Sequence, residues 1–246
     1  MAYEKLAQVY DELTTDINYT RILDFIETIL RDFGKQPETV LDLACGTGSM
    51  SLLLAQRGYR VLGADMSEEM LTVAMDKAQQ LEKNMPYFVC QKMQNLRLPA
   101  PVDLALCLLD SVNYLRKPSD CEKTFQRVFQ ALKPGGVFLF DINTPHKLRG
   151  LDGQVFLDET QETFCVWRAQ FEREENCCYY GFDIFRKQGS AWTRRQEQHC
   201  EYAYEPETLC GYLRAAGFTR IVQFGDCRKQ RPAAEEQRIY FAACKE

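Results

Sequence analysis

The chain has only 2 histidines, no Cys-x-x-C pair and Cys177-Cys178 as its only close cysteine pair, so a zinc site is poorly supported. No apolar run is long enough to cross a bilayer, and no apolar core for a signal peptide follows the first methionine. A cytoplasmic, soluble protein without membrane partners is therefore expected. No internal repeat, low-complexity tract or Gly/Ser-rich linker interrupts the 246 residues. Excess positive charge is missing too: the formal net charge is -5, which disfavours non-specific nucleic-acid binding. Arg194-Arg195 and Arg228-Lys229 with Arg231 are candidates for a local basic patch, and such charges ordinarily form a solvated surface. Eleven cysteines are present, an odd number, and in a reduced compartment they act as small apolar residues.

What is present is 46% hydrophobic residues in an alternation of strand and helix patterns. Residues 17–33 show apolar residues at helical spacing, closed by Gly34 and Pro37. Strands are expected at 39–43, 59–64, 86–90, 102–108 and 137–141. Helices are expected between them at 49–57, 67–81 and 119–132, with Ser67 as an N-cap. A Lys-Pro-Gly-Gly turn at 133–136 should separate the last of these helices from its strand. This rhythm implies an α/β fold, a Rossmann-like, doubly wound and mostly parallel sheet. After Asn143 the rhythm breaks. Residues 163–171, 177–187 and 192–204 are aromatic-rich and partly alternating, with turn residues between them, and read as a three-stranded antiparallel β-meander inserted after strand five. A helix at 207–216 and strands at 218–224 and 238–244 complete the chain. The expected organisation is residues 1–150 with 205–246 as one domain, and 151–204 as an insertion covering a substrate site.

The most informative run is Val40–Gly48, VLDLACGTG, where a burst of β-formers ends in two glycines just before a helix. Bare backbone at such a turn lets a nucleotide-type ligand approach closely, and the following helix N-terminus favours a polar or anionic group. An acid, Asp65, ends the next strand, the position from which dinucleotide folds bond ribose hydroxyls. A nicotinamide fingerprint wants a third glycine three residues after Gly48, where Ser51 stands.

Four segments in order carry a resemblance: VLDLACGTG, VLGADMS, DLALCLLDSVNYL and LKPGGVFLFDIN. Together they resemble the class I S-adenosylmethionine-dependent methyltransferases over almost the whole chain. The insertion and the N-terminal Ala-Gln-Val-Tyr-Asp resemble the small-molecule members, sugar N-methyltransferases among them. The resemblance implies S-adenosyl-L-methionine as cofactor and a small-molecule acceptor as partner. It implies a cofactor site built from Asp42, Ala44, Gly46, Thr47 and Gly48. Asp65 would take the ribose hydroxyls, and Met66 and Leu109 would flank adenine. Asp42 either orients the glycine turn or reaches the cofactor amine through water. Tyr10 and Tyr19 resemble tyrosines that close over the cofactor. A phenol can bond the methionine carboxylate, an aromatic face can stabilise a sulfonium, and Arg21 is an alternative carboxylate partner.

Two positions depart from the family pattern. Ala44 stands where the first glycine is usual, and Lys92 stands where relatives carry an acid for the adenine amino group. Adenine recognition then falls to the Met93 backbone or to Gln94. Candidates on the acceptor side are Asp110, Asn113, Tyr114, Asn143, His146 and His199, with Trp167, Tyr179, Phe182 and Trp192 as pocket walls or as the meander's own core. On an alternating strand His199 shares a face with Arg195, Glu197 and Glu201, turned either to substrate or to water. His199 is the candidate catalytic base, needed where the acceptor still carries a proton. Three other readings compete: a modified tRNA nucleotide as acceptor, a non-catalytic cofactor-binding module, and an NAD-dependent oxidoreductase. Monomer and homodimer are both compatible with the sequence.

Overall fold

A computed structural model describes residues 6, 7 and 9–246; the remaining N-terminal residues, including Gln8 of the Ala-Gln-Val-Tyr-Asp run, lie outside the described residues. In chain order the elements are α1 (Tyr10–Leu13), α2 (Tyr19–Asp32), β1 (Thr39–Leu43), α3 (Ser49–Gln56), β2 (Arg60–Asp65), α4 (Glu68–Ala78), β3 (Tyr87–Cys90), β4 (Val102–Cys107), α5 (Pro118–Ala131), β5 (Leu132–Asn143) and α6 (Pro145–Gly150). They continue as β6 (Val155–Glu159), β7 (Thr163–Glu172), β8 (Cys177–Gln188), β9 (Ala191–Tyr202), α7 (Pro206–Ala216), β10 (Arg220–Gly225) and β11 (Arg238–Cys244). Single 3₁₀ turns lie at Met93–Asn95 and Ser111–Tyr114.

Seven strands form one sheet in the order β10-β11-β5-β4-β1-β2-β3. The β1, β2, β3, β4 and β5 pairings are parallel, and β11 runs antiparallel between β5 and β10. The chain winds outward from β1 in one direction and then returns to β4 on its other side. That reversal leaves a crevice at the carboxyl ends of β1 and β4, where open α/β sheets bind ligands. Apolar residues on both faces of the strands feed two cores. Leu41, Leu43, Phe138 and Phe140 pack with Phe125 and Leu213 of α5 and α7. Val40, Leu106 and Leu139 pack with Ile26, Ile29 and Leu54 of α2 and α3. This double burial is why these strands read as apolar runs without alternation.

Most expected elements are present within a few residues, and three differ. The Lys-Pro-Gly-Gly segment does not separate α5 from its strand. Leu132 already pairs with Val102, a register irregularity follows, and pairing resumes at Val137, so the segment is a bulge within β5. The insertion holds four antiparallel strands, β6-β7-β8-β9, not three. The extra strand β6 is an edge strand whose Val155 and Leu157 are exposed, so its apolar residues face both ways and no alternation marks it. Helix α6 was also not anticipated, although Thr144 caps it through Lys147 N and Pro145 occupies its first turn.

The turn from β1 to α3 depends on conformations that L-residues resist. Ala44, Gly46 and Gly48 all have positive φ, at 58°, 53° and 76°. A Cβ at Gly46 would meet nothing within 4 Å, whereas one at Gly48 would lie 2.9 Å from Ala74 Cβ and 3.2 Å from the Phe88 ring. Gly48 is thus the residue that lets α3 and α4 approach. Gly48→Ala adds left-handed strain to overpacking, an expected loss of about 2–4 kcal/mol readable as a lower denaturant midpoint.

Candidate active site

Asp65 closes β2 and holds two turns at once. Its Oδ2 accepts from Gly46 N at 2.9 Å and its Oδ1 from Ser67 N at 2.9 Å. Burial raises its pKa, while these backbone donors pull it down. Each oxygen has given one lone pair to the backbone and retains capacity for a further donor. Asp42 at the end of β1 is 2% exposed, and its Oδ2 accepts from Ser51 Oγ at 2.5 Å. Burial pushes its carboxyl up to about 7. Ser51, the residue in place of a third glycine, is therefore the partner that a buried Asp42 needs.

A cavity opens directly above these groups. It is lined by Tyr10, Tyr19, Asp42, Ala44, Gly46, Thr47, Asp65, Met66, Leu109 and Tyr114, all singled out from the sequence. Cys45, Met50, Ser67, Met70, Leu108 and Ser111 also line it and were missed. They neighbour motif residues, or lie one turn along a helix, and carry no chemistry that draws attention. Three expected residues do not line it. Gly48 is packed against α4, as described above. Met93 turns its sulfur toward Cys107 Sγ at 3.8 Å, and Gln94 sits with it in the 3₁₀ turn away from the lining. Arg21 is exposed in the first turn of α2 and does not line the cavity either.

The short helix α1 contributes Tyr10 to the lining and is tied down at Asp11 and at Glu12, whose Oε2 accepts from Thr163 Oγ1 at 3.1 Å. Asp11 accepts from Thr47 Oγ1 at 2.7 Å and from Lys77 Nζ at 2.6 Å, and Lys77 also reaches Ser49 Oγ at 2.8 Å. This tie joins α1, the glycine turn and α4, and seats Tyr10 over the cavity. Burial pushes the Tyr10 phenol well above its ordinary range and that of Tyr19 up to about 12, so both stay neutral donors.

A second cavity adjoins the first and shares Tyr10 and Tyr114 with it. The sheet side contributes Asn143 and Lys147. The insertion contributes Phe156, Trp167, Tyr180, Phe182, His199 and Glu201. The inward face of β9 thus carries His199 and Glu201, 3% and 4% exposed, while Arg195 on the same strand points to solvent. His199 is held at both nitrogens: Nδ1 lies 3.1 Å from Tyr114 Oη and Nε2 lies 2.8 Å from Glu197 Oε1. Glu197 Oε2 in turn accepts from Leu6 N at 3.0 Å. Glu197 and Lys147 were not among the expected site residues; only the shared face of β9 pointed to the first.

Several expected acceptor residues have other duties. Asn113 is fully buried, donates from Nδ2 to Asn143 O and Tyr202 O, and accepts from Asn143 N, so its amide ties β5 to β9. Tyr179 lies on the opposite face of β8, bonded to Arg116 and Glu175, and Trp192 is exposed. His146 is exposed on α6 beside a groove on another face of the molecule. Asp110 lines neither cavity, because Arg238 holds it.

Arg238 on β11 bridges Asp110 Oδ1, at 2.7 Å, and Asp141 Oδ2. Asp141 is fully buried, and its oxygens also accept from Leu109 N at 2.7 Å and Asp110 N at 3.0 Å. Leu109 and Asp110 are consecutive residues at positive φ, 55° and 53°. The acid-arginine cluster therefore fixes a backbone that neither residue favours, at the point where Leu109 lines the first cavity. Arg238→Met leaves Asp141 buried without its cation. A loss of about 3–5 kcal/mol is expected in chemical unfolding, whereas loss below 1 kcal/mol contradicts this role.

Comparison with known proteins agrees with this geometry. Residues 40–136 match the model of a methyltransferase domain family. YqeM of Bacillus subtilis, which carries a provisional methyltransferase designation, is 32% identical over 100% of this chain and 98% of its own length. The crystal structure of an S-adenosylmethionine-dependent methyltransferase from Clostridium acetobutylicum is 32% identical, covers 98% of each chain and superposes with a TM-score of 0.86. The sugar N-methyltransferase KedS8 of a Streptoalloteichus species shares the fold at a TM-score of 0.82, with 18% identity over 100% of this chain and 95% of its own. The chain belongs to the class I S-adenosylmethionine-dependent methyltransferases, and its cofactor is S-adenosylmethionine.

Proposed function

We propose that this methyltransferase acts on a small molecule seated in the second cavity, between the seven-stranded sheet and the inserted meander. The observation that carries the reading is the shared wall: Tyr10 and Tyr114 line both cavities, so donor and acceptor meet beside their rings. The second cavity, about 450 Å³, falls within the roughly 300–1,000 Å³ range of small-molecule sites. Six aromatic residues line it, and its carboxylates repel a polyanion, which speaks against a tRNA acceptor. In this reading residues 1–150 and 205–246 form the cofactor domain and 151–204 the cover of the acceptor site.

The first cavity suits the cofactor on two structural grounds. Gly46 offers bare backbone with open space where a Cβ would stand, and Asp65 has acceptor capacity left on both oxygens. We assign the amino-acid end to Ala44, Gly46 and Thr47, with Asp42 toward its amine. The ribose hydroxyls go to Asp65 and the adenine to Met66, Met70 and Leu109. Tyr10 and Tyr19 close the cavity. When bound, S-adenosylmethionine supplies a methyl carbon made electrophilic by a sulfonium sulfur.

The protein's part is alignment and proton handling. An ionised Glu197 can only accept, so His199 donates from Nε2 and its Nδ1 takes the Tyr114 hydroxyl proton. A proton leaving the acceptor can then pass to the Tyr114 oxygen as the Tyr114 proton moves to Nδ1, leaving an imidazolium against Glu197. Asn143, bonded to Glu201 at 2.8 Å and to Lys147 at 2.8 Å, presents a fixed polar edge to the same cavity.

Asp65→Ala is expected to weaken S-adenosylhomocysteine binding by about 2–4 kcal/mol in calorimetry, the worth of two charge-assisted hydrogen bonds. His199→Ala is expected to leave that binding intact and to lower turnover on a small-molecule extract by about 10²-fold or more. Methyl label appearing only in a tRNA fraction contradicts the acceptor assignment.

A further inference from the structure

Glu201 is a buried carboxylate with half of its hydrogen-bonding capacity unspent. It is 4% exposed and lines the second cavity. Its Oε2 accepts from Asn143 Nδ2 at 2.8 Å, and Oε1 takes no hydrogen bond from any described residue. Among the described residues no cation sits against it: Lys147, their one ammonium in the lining, donates to Asn143 Oδ1 instead, and Arg238 is taken by Asp110 and Asp141. Burial, and then the nearby Asp110 charge, hold the Glu201 carboxyl up at about 8 against the pull of Asn143, Lys147 and Arg238. Without a positive neighbour this carboxyl is held protonated at neutral pH, and a cation seated beside it restores the carboxylate as the proton passes to solvent.

The rest of the lining favours the same charge. Asp158 also faces the cavity, with the Trp167 indole N–H at 3.0 Å as its hydrogen-bond partner, and Asp16 stands exposed at the rim. Three carboxylates thus face one ammonium. Between them runs a continuous aromatic wall. Phe156 stacks on Trp167 with centroids 4.0 Å apart, and Tyr180 and Phe182 flank the indole at 5.9 and 6.1 Å. Ring faces and unpaired carboxylates around one space make a receptor for an organic cation.

Resting on the reading of this cavity as the acceptor site, we propose that the methyl acceptor carries a cationic ammonium group, seated between the free oxygen of Glu201 and the aromatic wall around Trp167. The acceptor class is then small organic amines: the bound ammonium gives one proton to the Tyr114–His199 relay, its freed lone pair takes the methyl group and the sulfonium leaves as the neutral thioether, whereas neutral alcohols or carboxylic acids of the same size are excluded. Glu201 is a binding residue in this proposal, distinct from the Tyr114–His199–Glu197 group that handles the proton.

The test uses the full chain carrying Trp192→Phe, so that Trp167 is the single indole, saturated with S-adenosylhomocysteine. Benzylamine, benzyl alcohol and benzoate are titrated against its fluorescence. Benzylamine is expected to bind at least tenfold more tightly than the other two, and Glu201→Gln, with an unchanged melting transition, is expected to remove that preference. Equal affinity for the alcohol, or for benzoate, overturns the proposal in the parent protein alone, whatever the variant does. A companion assay offers tritiated S-adenosylmethionine with small-molecule extract split by cation exchange at neutral pH. Label in the retained fraction supports the proposal. Label only in the flow-through overturns it and leaves the small-molecule reading standing. Label in neither fraction, with benzylamine still preferred in the titration, supports a cation site and removes its assignment to the acceptor.

Discussion

One half-buried arginine holds three strand ends together beside the two cavities. Arg238 lies on the last strand and reaches Asp141 at the end of β5 and Asp110 beyond β4, so it joins three neighbouring strand ends. Asp141 spends its oxygens on Arg238 and on the two amides of Leu109 and Asp110. Those two residues stay in a left-handed conformation that costs on the order of 1–2 kcal/mol each. The cluster offsets that cost, and the loop then descends into the 3₁₀ turn that carries Asn113 and Tyr114. Asn113 stitches β5 to β9, and Tyr114 meets His199. The ion cluster thus fixes the loop whose Asn113 and Tyr114 contact the insertion, beside the apolar packing of Leu148 on Tyr180 and of Val9 on Ile184.

In the proposed reading the two cavities divide the physical demands of methyl transfer. The donor side has its carboxylates held by amide or hydroxyl donors, so little must reorganise on binding. Asp65 illustrates this economy: it fixes the glycine turn and still faces the ligand. The acceptor side is built from aromatic faces and from polar groups with bonding capacity left over. Helix α1 borders both cavities through Tyr10, fastened by Asp11 to Thr47, Ser49 and Lys77 and by Glu12 to Thr163.

Much of this was visible in the residue pattern, for a physical reason. Strands covered on both faces are apolar throughout, and a turn with φ above zero demands glycine or a small residue, so β1, its turn and Asp65 stand out. Ten of the residues singled out line the first cavity. Where the reading went astray, local pattern competed with tertiary packing. Gly48 looked like a ligand glycine but serves helix approach, because Ala74 and Phe88 arrive from distant parts of the chain. Asn113 and Asp110 looked like loop residues facing a substrate, but the buried Asn113 amide satisfies its own bonds and the half-buried Asp110 carboxylate is taken by Arg238. Strand β6 escaped notice because exposed Val155 and Leu157 break the alternation. His199 was ambiguous, since a strand's period marks two faces without saying which is inside; only the packing of β9 against Tyr114 resolves it.

The central claim is that the methyl group passes at the wall shared by Tyr10 and Tyr114. A crystal structure of the full chain with S-adenosylhomocysteine tests it most directly. The account predicts both ribose hydroxyls on Asp65, and the thioether sulfur at the opening between the cavities, facing the side where His199 and Glu201 lie. A ribose bound elsewhere, or a sulfur turned away from the second cavity, contradicts it.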